Sequence, residues 1–252
     1  MVILKSPSEI ERIRQSNIMV AEILEILRQK VKPGADTLTL DKISEELTLA
    51  RNAKPAFKGY RGYPFSLCAS VNQQVVHGFP SKRPLEEGDI LSMDFGISYQ
   101  GYYGDAAITV PVGKVSSVAQ RLMETTKDAL LSGIEQAAPG KRLSDISHAI
   151  QSRAEEAGFS VVRKFVGHGI GKALHEDPQV PNYGKPGMGI RLKPGMVIAI
   201  EPMVNAGGYE VKTLEDGWTT VTEDGSLSAH FEHTVAITEE GPVILSATNG
   251  SA

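Results

Sequence analysis

The chain has 252 residues, and its 26 Lys and Arg against 30 Asp and Glu give a formal net charge of −4. Hydrophobic residues make up 41% of the chain and charged residues 22%, which is ordinary for a soluble globular protein. The small acidic excess and the 6% aromatic content argue against nucleic acid as the main partner. Cys68 is the single cysteine, which excludes an intrachain disulfide and a cysteine-only zinc site.

The amino-terminal sequence has three apolar residues, Val2 to Leu4, before a charge follows. This run is too short for the apolar core of a signal peptide, and no later run approaches the length of a membrane span. We therefore expect a cytoplasmic protein that does not bind membranes.

Two helices are predicted near the start of the chain. Ser6-Pro7-Ser8-Glu9 has the pattern of a capping box, and apolar residues at spacings of three and four follow up to Val31, with Asn17 as the one polar interruption. Pro33-Gly34 ends this helix. A second amphipathic helix begins at Thr37 or Thr39 and extends to residue 50.

The same pattern recurs about a hundred residues later. One helix, with its apolar stripe over 118–133, ends before Pro139-Gly140, and another over 146–157 is stopped by Gly158. Leu85–Asp94 and Leu192–Glu201 share a Leu, a Gly, three apolar positions and a final carboxylate. Each half also has a His-x-x-Pro element, at His77 and at His175.

Repeated blocks in the same order predict two related halves, 7–110 and 117–237, around a pseudo-twofold axis. We expect them to form a single domain over 1–252. Frequent hairpins among the helices favour an α+β fold with an antiparallel sheet and helices on one face.

Two acids stand in a predicted hairpin of strands 90–98 and 102–110 joined by residues 99–101. This join pairs Asp94 directly with Asp105, with Cβ atoms about 5 Å apart. Two bare carboxylates there repel, so a shared proton, a basic partner or a cation is needed. A different register that turns both acids to solvent is the alternative.

Three further candidates extend this acidic pair. Glu201 follows the apolar strand 196–200 and is the repeat counterpart of Asp94. In the predicted strand that contains Glu232, alternation puts this side chain on the face opposite that of Phe231. Glu232 alone is also explained as an edge-strand acid. His168 lies in a glycine-rich turn, where the backbone can approach a ligand.

One imidazole with four carboxylates suits Mn²⁺, Fe²⁺, Co²⁺ or Zn²⁺, and four carboxylates favour two divalent ions over one. Three other histidines, His148, His230 and His233, do not lie in a metal-binding motif. We expect them to be structural or surface residues.

Five stretches carry a resemblance to a known family. They are Phe165-Val-Gly-His-Gly-Ile-Gly with His175 and Asn182-Tyr183, Met93-Asp-Phe-Gly, Gly104-Asp-Ala, Ile200-Glu-Pro-Met and Phe231-Glu-His-Thr. In their order along the chain they resemble the type I methionine aminopeptidases of the pita-bread fold, over essentially the whole chain. The resemblance implies removal of the N-terminal methionine from new polypeptides when the next residue is small.

The resemblance also implies roles for individual residues. It makes Asp94, Asp105, His168, Glu201 and Glu232 the ligands of a dinuclear centre whose bridging water attacks the scissile carbonyl. It makes Glu201 the base for that water. His175 is similar to the donor that stabilises the oxyanion, and His77 to the histidine that contacts the scissile amide.

A methionine pocket and further partners follow from the same resemblance. Its wall residues are Tyr60, Tyr63, Cys68 and Trp218, although core packing explains Trp218 nearly as well. Leu174 and Phe57 depart from residues common in the family. A monovalent cation near Asn72, Gln74 and Ser228 is also implied, as are nascent chains at the ribosome as partners. The expected state is a monomer.

Two rival interpretations remain. Xaa-Pro dipeptidases and aminopeptidase P share the fold but usually carry a separate N-terminal domain, whereas the first helix here begins by residue 7. A binding module that has lost catalysis is the second rival. It predicts missing ligands, yet all five candidate ligands and both His-x-x-Pro histidines are present.

Overall fold

The structure, a computed structural model, describes residues 2–247. Within this range the four predicted helices are present: α1 (Pro7–Arg28), α2 (Thr37–Ala50), α3 (Ser117–Glu135) and α4 (Leu143–Glu156). The Ser6 hydroxyl and the Glu9 carboxylate form the expected capping box of α1. α2 begins at Thr37, one of the two predicted starts, and its N-cap is Asp36, whose carboxylate accepts from the backbone N–H of Thr39.

Fifteen short strands are described, and every pairing between them is antiparallel. In chain order they are β1 (Lys54–Pro55), β2 (Leu67–Val71), β3 (Gln74–Val76), β4 (Ile90–Tyr99), β5 (Tyr102–Pro111), β6 (Ser160–Val161), β7 (Gly167–Gly169), β8 (Glu176–Val180), β9 (Val197–Ile200), β10 (Met203–Asn205), β11 (Val211–Thr213), β12 (Thr220–Thr222), β13 (Ser228–His230), β14 (Glu232–Thr238) and β15 (Gly241–Ile244).

Nine of these strands form one sheet. Its path runs β1-β4-β5-β14-β9-β7-β8, with β2 added to β4 and β15 added to β14. Two three-stranded sheets, β13-β10-β6 and β11-β12-β3, flank it. The predicted α+β class with an antiparallel sheet backed by helices is confirmed. In the large sheet β14 lies between β5 of the first half and β9 of the second half.

The register of the β4–β5 hairpin differs from the prediction. Asp94 lies opposite Ala107, and Asp105 lies opposite Gly96. The cause is the turn, in which Gln100 and Gly101 alone join the strands, both with positive φ (49° and 79°) as a type I′ turn requires. A shift of two residues keeps side chains on the same face, so the two acids are diagonal neighbours instead of a direct pair.

The same hydrogen bonds occur in both halves at the turn after the first helix. Gly34 N–H donates to the carbonyl of Leu85 and Leu85 N–H to that of Ala35 (2.8 and 2.7 Å). In the second half Gly140 donates to Leu192 (3.1 Å), and Leu192 N–H donates to the carbonyl of Lys141 (2.8 Å). These contacts recur at the spacing of the sequence repeat, which supports two related halves. The assignment of 1–252 to a single domain stays a prediction.

Each pair of helices covers its own apolar core. Val20, Leu24, Leu27 and Leu40 pack on β2, β4 and β5. The corresponding core of the second half lies under α3 and α4 and includes β9 and β14. The two helix pairs thus hold the two parts of the large sheet in place. None of the helices within residues 2–247 combines the length and apolar character needed to cross a lipid bilayer.

Candidate metal centre and substrate cavity

All eleven predicted site residues line one cavity of about 170 Å³. Phe57 and Arg61 complete its lining. The eleven are Tyr60, Tyr63, Cys68, His77, Asp94, Asp105, His168, His175, Glu201, Trp218 and Glu232. The structure therefore brings together residues that the sequence separates by as much as two thirds of the chain.

Strand pairing across the two halves aligns three acids on one face. Asp94 on β4 lies opposite Ala107 on β5, which in turn lies opposite Glu232 on β14. Asp105 is two residues from Ala107, so its side chain points to the same side of the sheet. The pairing register of the strands, and not the conformation of a loop, determines that the three acidic side chains lie on the same face of the sheet.

Strands of the second half continue this face. Ala199 on β9 lies opposite both Thr234 on β14 and His168 on β7. Thr234 is two residues from Glu232, and Glu201 is two residues beyond Ala199, directly after β9 ends. His168 and Glu201 consequently point toward Asp94, Asp105 and Glu232.

The imidazole of His168 is oriented with one nitrogen toward these acids. Its Nδ1–H donates to the carbonyl of Gly169 at 2.9 Å, because a carbonyl can only accept. Nε2 is then the nitrogen with a free lone pair, and it lies 3.5 Å from Glu201 Oε1 and 3.9 Å from Asp105 Oδ2. A backbone carbonyl that fixes the tautomer in this way is typical of a metal-ligating histidine.

The carboxylates have buried oxygen atoms without hydrogen-bond partners. These are Oδ1 of Asp94, Oδ1 of Asp105 and Oε1 of Glu232. Ligand atoms of Asp105, His168 and Glu232 all lie within 4.8 Å of one another. Orphaned buried oxygens on residues that line one cavity fit a bound cation, because coordination satisfies lone pairs that no donor in the protein reaches.

The same environment makes the ionised state of these acids costly. Burial raises the pKa of Asp94 to about 7, and burial with the neighbouring acids raises the pKa of Asp105, Glu201 and Glu232 above the usual range. Burial lowers the pKa of His168 to about 3, so this imidazole stays neutral and does not neutralise them. Divalent cations would supply the missing positive charge.

Two side chains from outside the cavity hold the backbone of Asp105. The N–H of Asp105 donates to Oδ1 of Asn17 (3.2 Å), and its carbonyl accepts from Oγ1 of Thr234 (2.9 Å). They act where the β5–β14 pairing ends, since only Ala106 and Ala107 are paired with β14. The polar interruption in the stripe of α1, Asn17, therefore has a structural role beside the candidate metal centre.

His175 lies beside His168, with ring centroids 4.2 Å apart, and is held by Tyr60. The Tyr60 hydroxyl lies 3.0 Å from Nδ1 of His175, and the two rings stack with centroids 5.3 Å apart. Partial burial and the nearby Arg61 guanidinium lower the pKa of His175, which favours the neutral ring. The phenol can donate to Nδ1 or accept from it; in the tautomer in which the phenol donates, Nε2 carries the proton and is free to donate into the cavity.

His77 and Trp218 form a third part of the wall. His77 has a left-handed backbone (φ 60°), which is uncommon for a residue with a side chain and is frequent at functional sites. Burial lowers the pKa of its imidazole to about 4. The half-buried Trp218 contacts the rings of His77 and Tyr63 edge-on, at 5.9 and 5.1 Å. Trp218 thus packs against the aromatic wall and also faces the cavity.

The apolar side of the cavity is built on Tyr63 and Cys68. Both are buried, and they pack in one cluster with Phe57 and Leu174, the two residues that depart from the family pattern. Burial, with Asp94 close by, raises the pKa of the Cys68 thiol. Cys68 is therefore a wall residue and a poor nucleophile.

His230 was assigned a structural or surface role, and the structure places it next to the acids. Its Nε2 is buried, lacks a hydrogen-bond partner and lies 3.8 Å from Oε2 of Glu201. A signal was present in the sequence, because alternation puts His230 on the same face as Glu232. His233 agrees with the expected structural role, because its Nδ1 pairs with the hydroxyl of Ser246.

The residues proposed for a monovalent cation are close in space. The N–H of Ser228 donates to the carbonyl of Asn72 at 2.9 Å, and Oε1 of Gln74 accepts from the N–H of Val71. A cation at this point stays a prediction.

Comparison with known proteins identifies the family. Residues 11–239 match the model of metallopeptidase family M24. A methionine aminopeptidase of Clostridium perfringens is 54% identical over 97% of this chain and 98% of its own length, and methionine aminopeptidase 1 of Bacillus subtilis is 54% identical over 97% and 99%. The chain belongs to the methionine aminopeptidases of family M24.

Solved structures of methionine aminopeptidases superpose closely on this fold. The enzyme from Thermotoga maritima has a TM-score of 0.97 and 48% identity, with 98% of this chain and all of that chain covered. The enzyme from Rickettsia prowazekii gives the same TM-score at 41% identity and the same coverage. The predicted pita-bread fold is confirmed.

Prolidases, the first rival, share the fold at a greater distance. The prolidase of Pyrococcus horikoshii has a TM-score of 0.80 and 24% identity, and this chain covers 65% of it. At that identity the likeness concerns the fold alone.

Proposed function

We propose that this methionine aminopeptidase removes the N-terminal methionine from proteins and peptides whose second residue is small. The supporting observation is the single cavity, in which a cluster of four carboxylates and one imidazole faces an aromatic, apolar wall. Such a wall suits an unbranched thioether side chain, and the acidic cluster suits divalent cations. The identity to methionine aminopeptidases over nearly the whole chain supports the same activity.

The cofactors we propose are two divalent cations, drawn from Co²⁺, Mn²⁺, Fe²⁺ and Zn²⁺. The donors are the carboxylates of Asp94, Asp105, Glu201 and Glu232 and the Nε2 atom of His168. Divalent cations in such a set lower the pKa of bound water and polarise a carbonyl. The two unpaired oxygens of Asp94 and Asp105 and the orientation of His168 support this assignment.

Glu201 is the proposed general base. Its raised pKa, caused by burial and Asp94, makes it a stronger proton acceptor than a surface glutamate. His175, held with Nε2–H toward the cavity, would donate to the oxyanion as the carbonyl becomes tetrahedral. His77 would contact the scissile amide from the facing wall.

The methionine side chain would occupy the wall formed by Tyr60, Tyr63, Cys68 and Trp218. Phe57 reduces the space there, because its ring lines the same cavity. Nascent polypeptides at the ribosome are the proposed physiological substrates, in the cytoplasm, with the enzyme acting as a monomer. Neither nucleic acid nor a membrane takes part in this proposal.

A peptide assay tests the proposal. Metal-free protein should cleave Met-Ala-Ser only after Mn²⁺ or Co²⁺ is added, and Asp105→Asn should abolish cleavage with the fold retained. Asp128→Asn is the matched control, because that acid forms an exposed ion pair with Arg153. Loaded protein that leaves Met-Ala-Ser uncut and cleaves an Xaa-Pro peptide would overturn the assignment.

A further inference from the structure

The segment before α1 is tied to the loop that carries His175. Nζ of Lys5 lies 2.6 Å from Oε2 of Glu176, and their side chains are only 4% and 10% exposed. The two residues are 171 positions apart in the chain. A buried ion pair over such a distance, outside the metal centre, calls for a specific explanation because desolvating both charges is costly.

Glu176 organises the turn that contains His175. Its Oε1 accepts from the backbone N–H groups of Lys172 and Ala173, at 2.8 and 3.2 Å, while Oε2 is taken by Lys5. The carboxylate therefore closes residues 172–176 into a compact turn. Without Lys5 it would keep a desolvated charge with only two neutral donors.

Lys5 is itself held in place by its backbone and its neighbours. Its N–H donates to the carbonyl of Gly195 at 2.7 Å, in the turn before β9, and its ammonium also reaches the carbonyl of Ile3. Gly171 leaves the space that the side chains need, because a Cβ there would lie 2.7 Å from Cε of Lys5. The ion pair is thus built into close packing and is not a chance surface contact.

The position of His175 depends on this turn. Its ring is fixed at Nδ1 by Tyr60, but the backbone of the segment is anchored on the other side through Glu176 and through the bond from Tyr103 N–H to the carbonyl of Gly171. A group that stabilises a transition state must be placed to within a fraction of an ångström, and a 1 Å error costs about 10²-fold in rate.

We propose that Lys5 is a positioning residue for the reaction: through Glu176 it fixes the turn that aims His175 into the cavity. This inference rests on the proposed role of His175 as the oxyanion donor. It assigns a function to the segment that precedes the first helix, which lies outside the cavity lining.

A double-mutant cycle tests it. Lys5→Met should lower kcat on Met-Ala-Ser about tenfold with KM changed less than about twofold, because the turn affects transition-state contacts more than substrate binding. In a His175→Ala background the same substitution should change kcat less than about twofold, since the group it positions is gone. Equal losses of kcat in the two backgrounds would overturn the proposal.

Hydrogen exchange gives a readout that does not depend on activity. In metal-loaded Lys5→Met, amides of residues 171–176 should exchange faster while those of α3 and α4 keep their rates. Unchanged exchange in 171–176 contradicts the proposal. Arg153→Met, which removes an exposed ion pair of the same 2.6 Å length, is the control and should alter neither kcat nor this exchange.

A second variant covers the case in which Lys5→Met does not fold. Glu176→Gln keeps an acceptor for the N–H groups of Lys172 and Ala173 but removes the charge that Lys5 pairs with. It should reproduce the lower kcat and the faster exchange, and retention of both wild-type values would count against the proposal. If the wild-type enzyme does not cleave Met-Ala-Ser, the proposed function fails, while the exchange result still decides whether Lys5 orders the turn.

Discussion

The hydroxyl of Tyr60 lies 3.0 Å from Nδ1 of His175, with the two rings stacked against each other. A phenol that donates to Nδ1 leaves the proton of the neutral imidazole on Nε2, the nitrogen needed to donate to an oxyanion. Tyr60 is predicted as a wall of the methionine pocket. Under the proposed function, this contact would also link recognition of the methionine side chain to the role of His175.

Tyr60→Phe separates the two roles, because the ring remains and the donor is lost. We expect kcat on Met-Ala-Ser to fall about tenfold, since the imidazole can then shift to the tautomer without a proton on Nε2. KM should change less than about twofold. Steady-state kinetics of the loaded enzyme measure both quantities. Tyr99→Phe, at the end of the β4–β5 hairpin, is the control, and equal kcat values for the two variants would contradict the assigned tautomer.

Asn17 and Thr234 should affect metal binding through the backbone of Asp105. Thr234→Val and Asn17→Ala each remove one of the two side-chain hydrogen bonds to that backbone, so we expect the metal dissociation constant to rise about tenfold. Isothermal titration with Mn²⁺ measures it. Thr238→Val, at the far end of the same strand, removes a hydroxyl bonded to Gly241 and should leave the constant unchanged. Wild-type affinity in both test variants would show that the ligand needs no such support.

The metal-free protein should lose stability as pH rises. Asp94 has a pKa of about 7 in the folded state against about 4 in an unfolded chain, so the folded state binds more protons between these values. The contribution of protonated Asp94 to the free energy of unfolding is therefore full below pH 4 and is lost as pH rises toward 7. Asp105, Glu201 and Glu232 act in the same direction. Thermal unfolding of metal-free protein at pH 5 and pH 8 measures the effect.

The variant Asp94→Asn provides the comparison for that pH effect. It removes one titrating acid, so the decrease in Tm between pH 5 and pH 8 should be smaller than in the wild-type apoprotein. A Tm of the wild-type apoprotein that rises over this interval would contradict the raised pKa values.

Added metal should reverse the loss of stability. Cations that bind the folded state alone raise its free energy of unfolding by about 2.7 kcal/mol at a hundredfold excess over Kd. We expect the Tm of the wild-type protein at pH 8 to rise with Mn²⁺ and to fall again with a chelator. Asp105→Asn should show a much smaller rise. A Tm that does not respond to Mn²⁺ in the wild-type protein would exclude the acidic cluster as the binding site.

The sequence predicted the helices and the face of the acids well, for a physical reason. Amphipathic spacing is local and is retained in α1 and α3, but these helices end at Arg28 and Glu135, several residues before the Pro-Gly pairs predicted to stop them. The hairpin register was wrong by two residues because the turn closes over Gln100 and Gly101, yet a shift of two leaves Asp94 and Asp105 on the same face. Strand alternation was therefore enough to put these two acids on one face, although it did not give the distance between them.

Contacts between distant segments could not be predicted in this way. Asn17 interrupts an apolar stripe, but nothing local indicates that its acceptor meets Asp105, 88 residues away. The ion pair of Lys5 with Glu176 likewise could not be predicted, because no local sequence pattern links two residues so far apart in the chain. His230 differs, because strand alternation already placed it beside Glu232 and only the absence of a known motif left it unassigned.

The position of strand β14 in the chain determines when the parts of the site become complete during synthesis. It joins β5 to β9 in the middle of the large sheet and also supplies Glu232. A ribosome adds this strand after both helix pairs and every other acid of the cluster have been made. An incomplete chain that ends before residue 232 therefore lacks both the strand that unites the halves and the last of the proposed ligands. Under the proposed function, the complete metal site would form only late in synthesis, and truncated products should be inert.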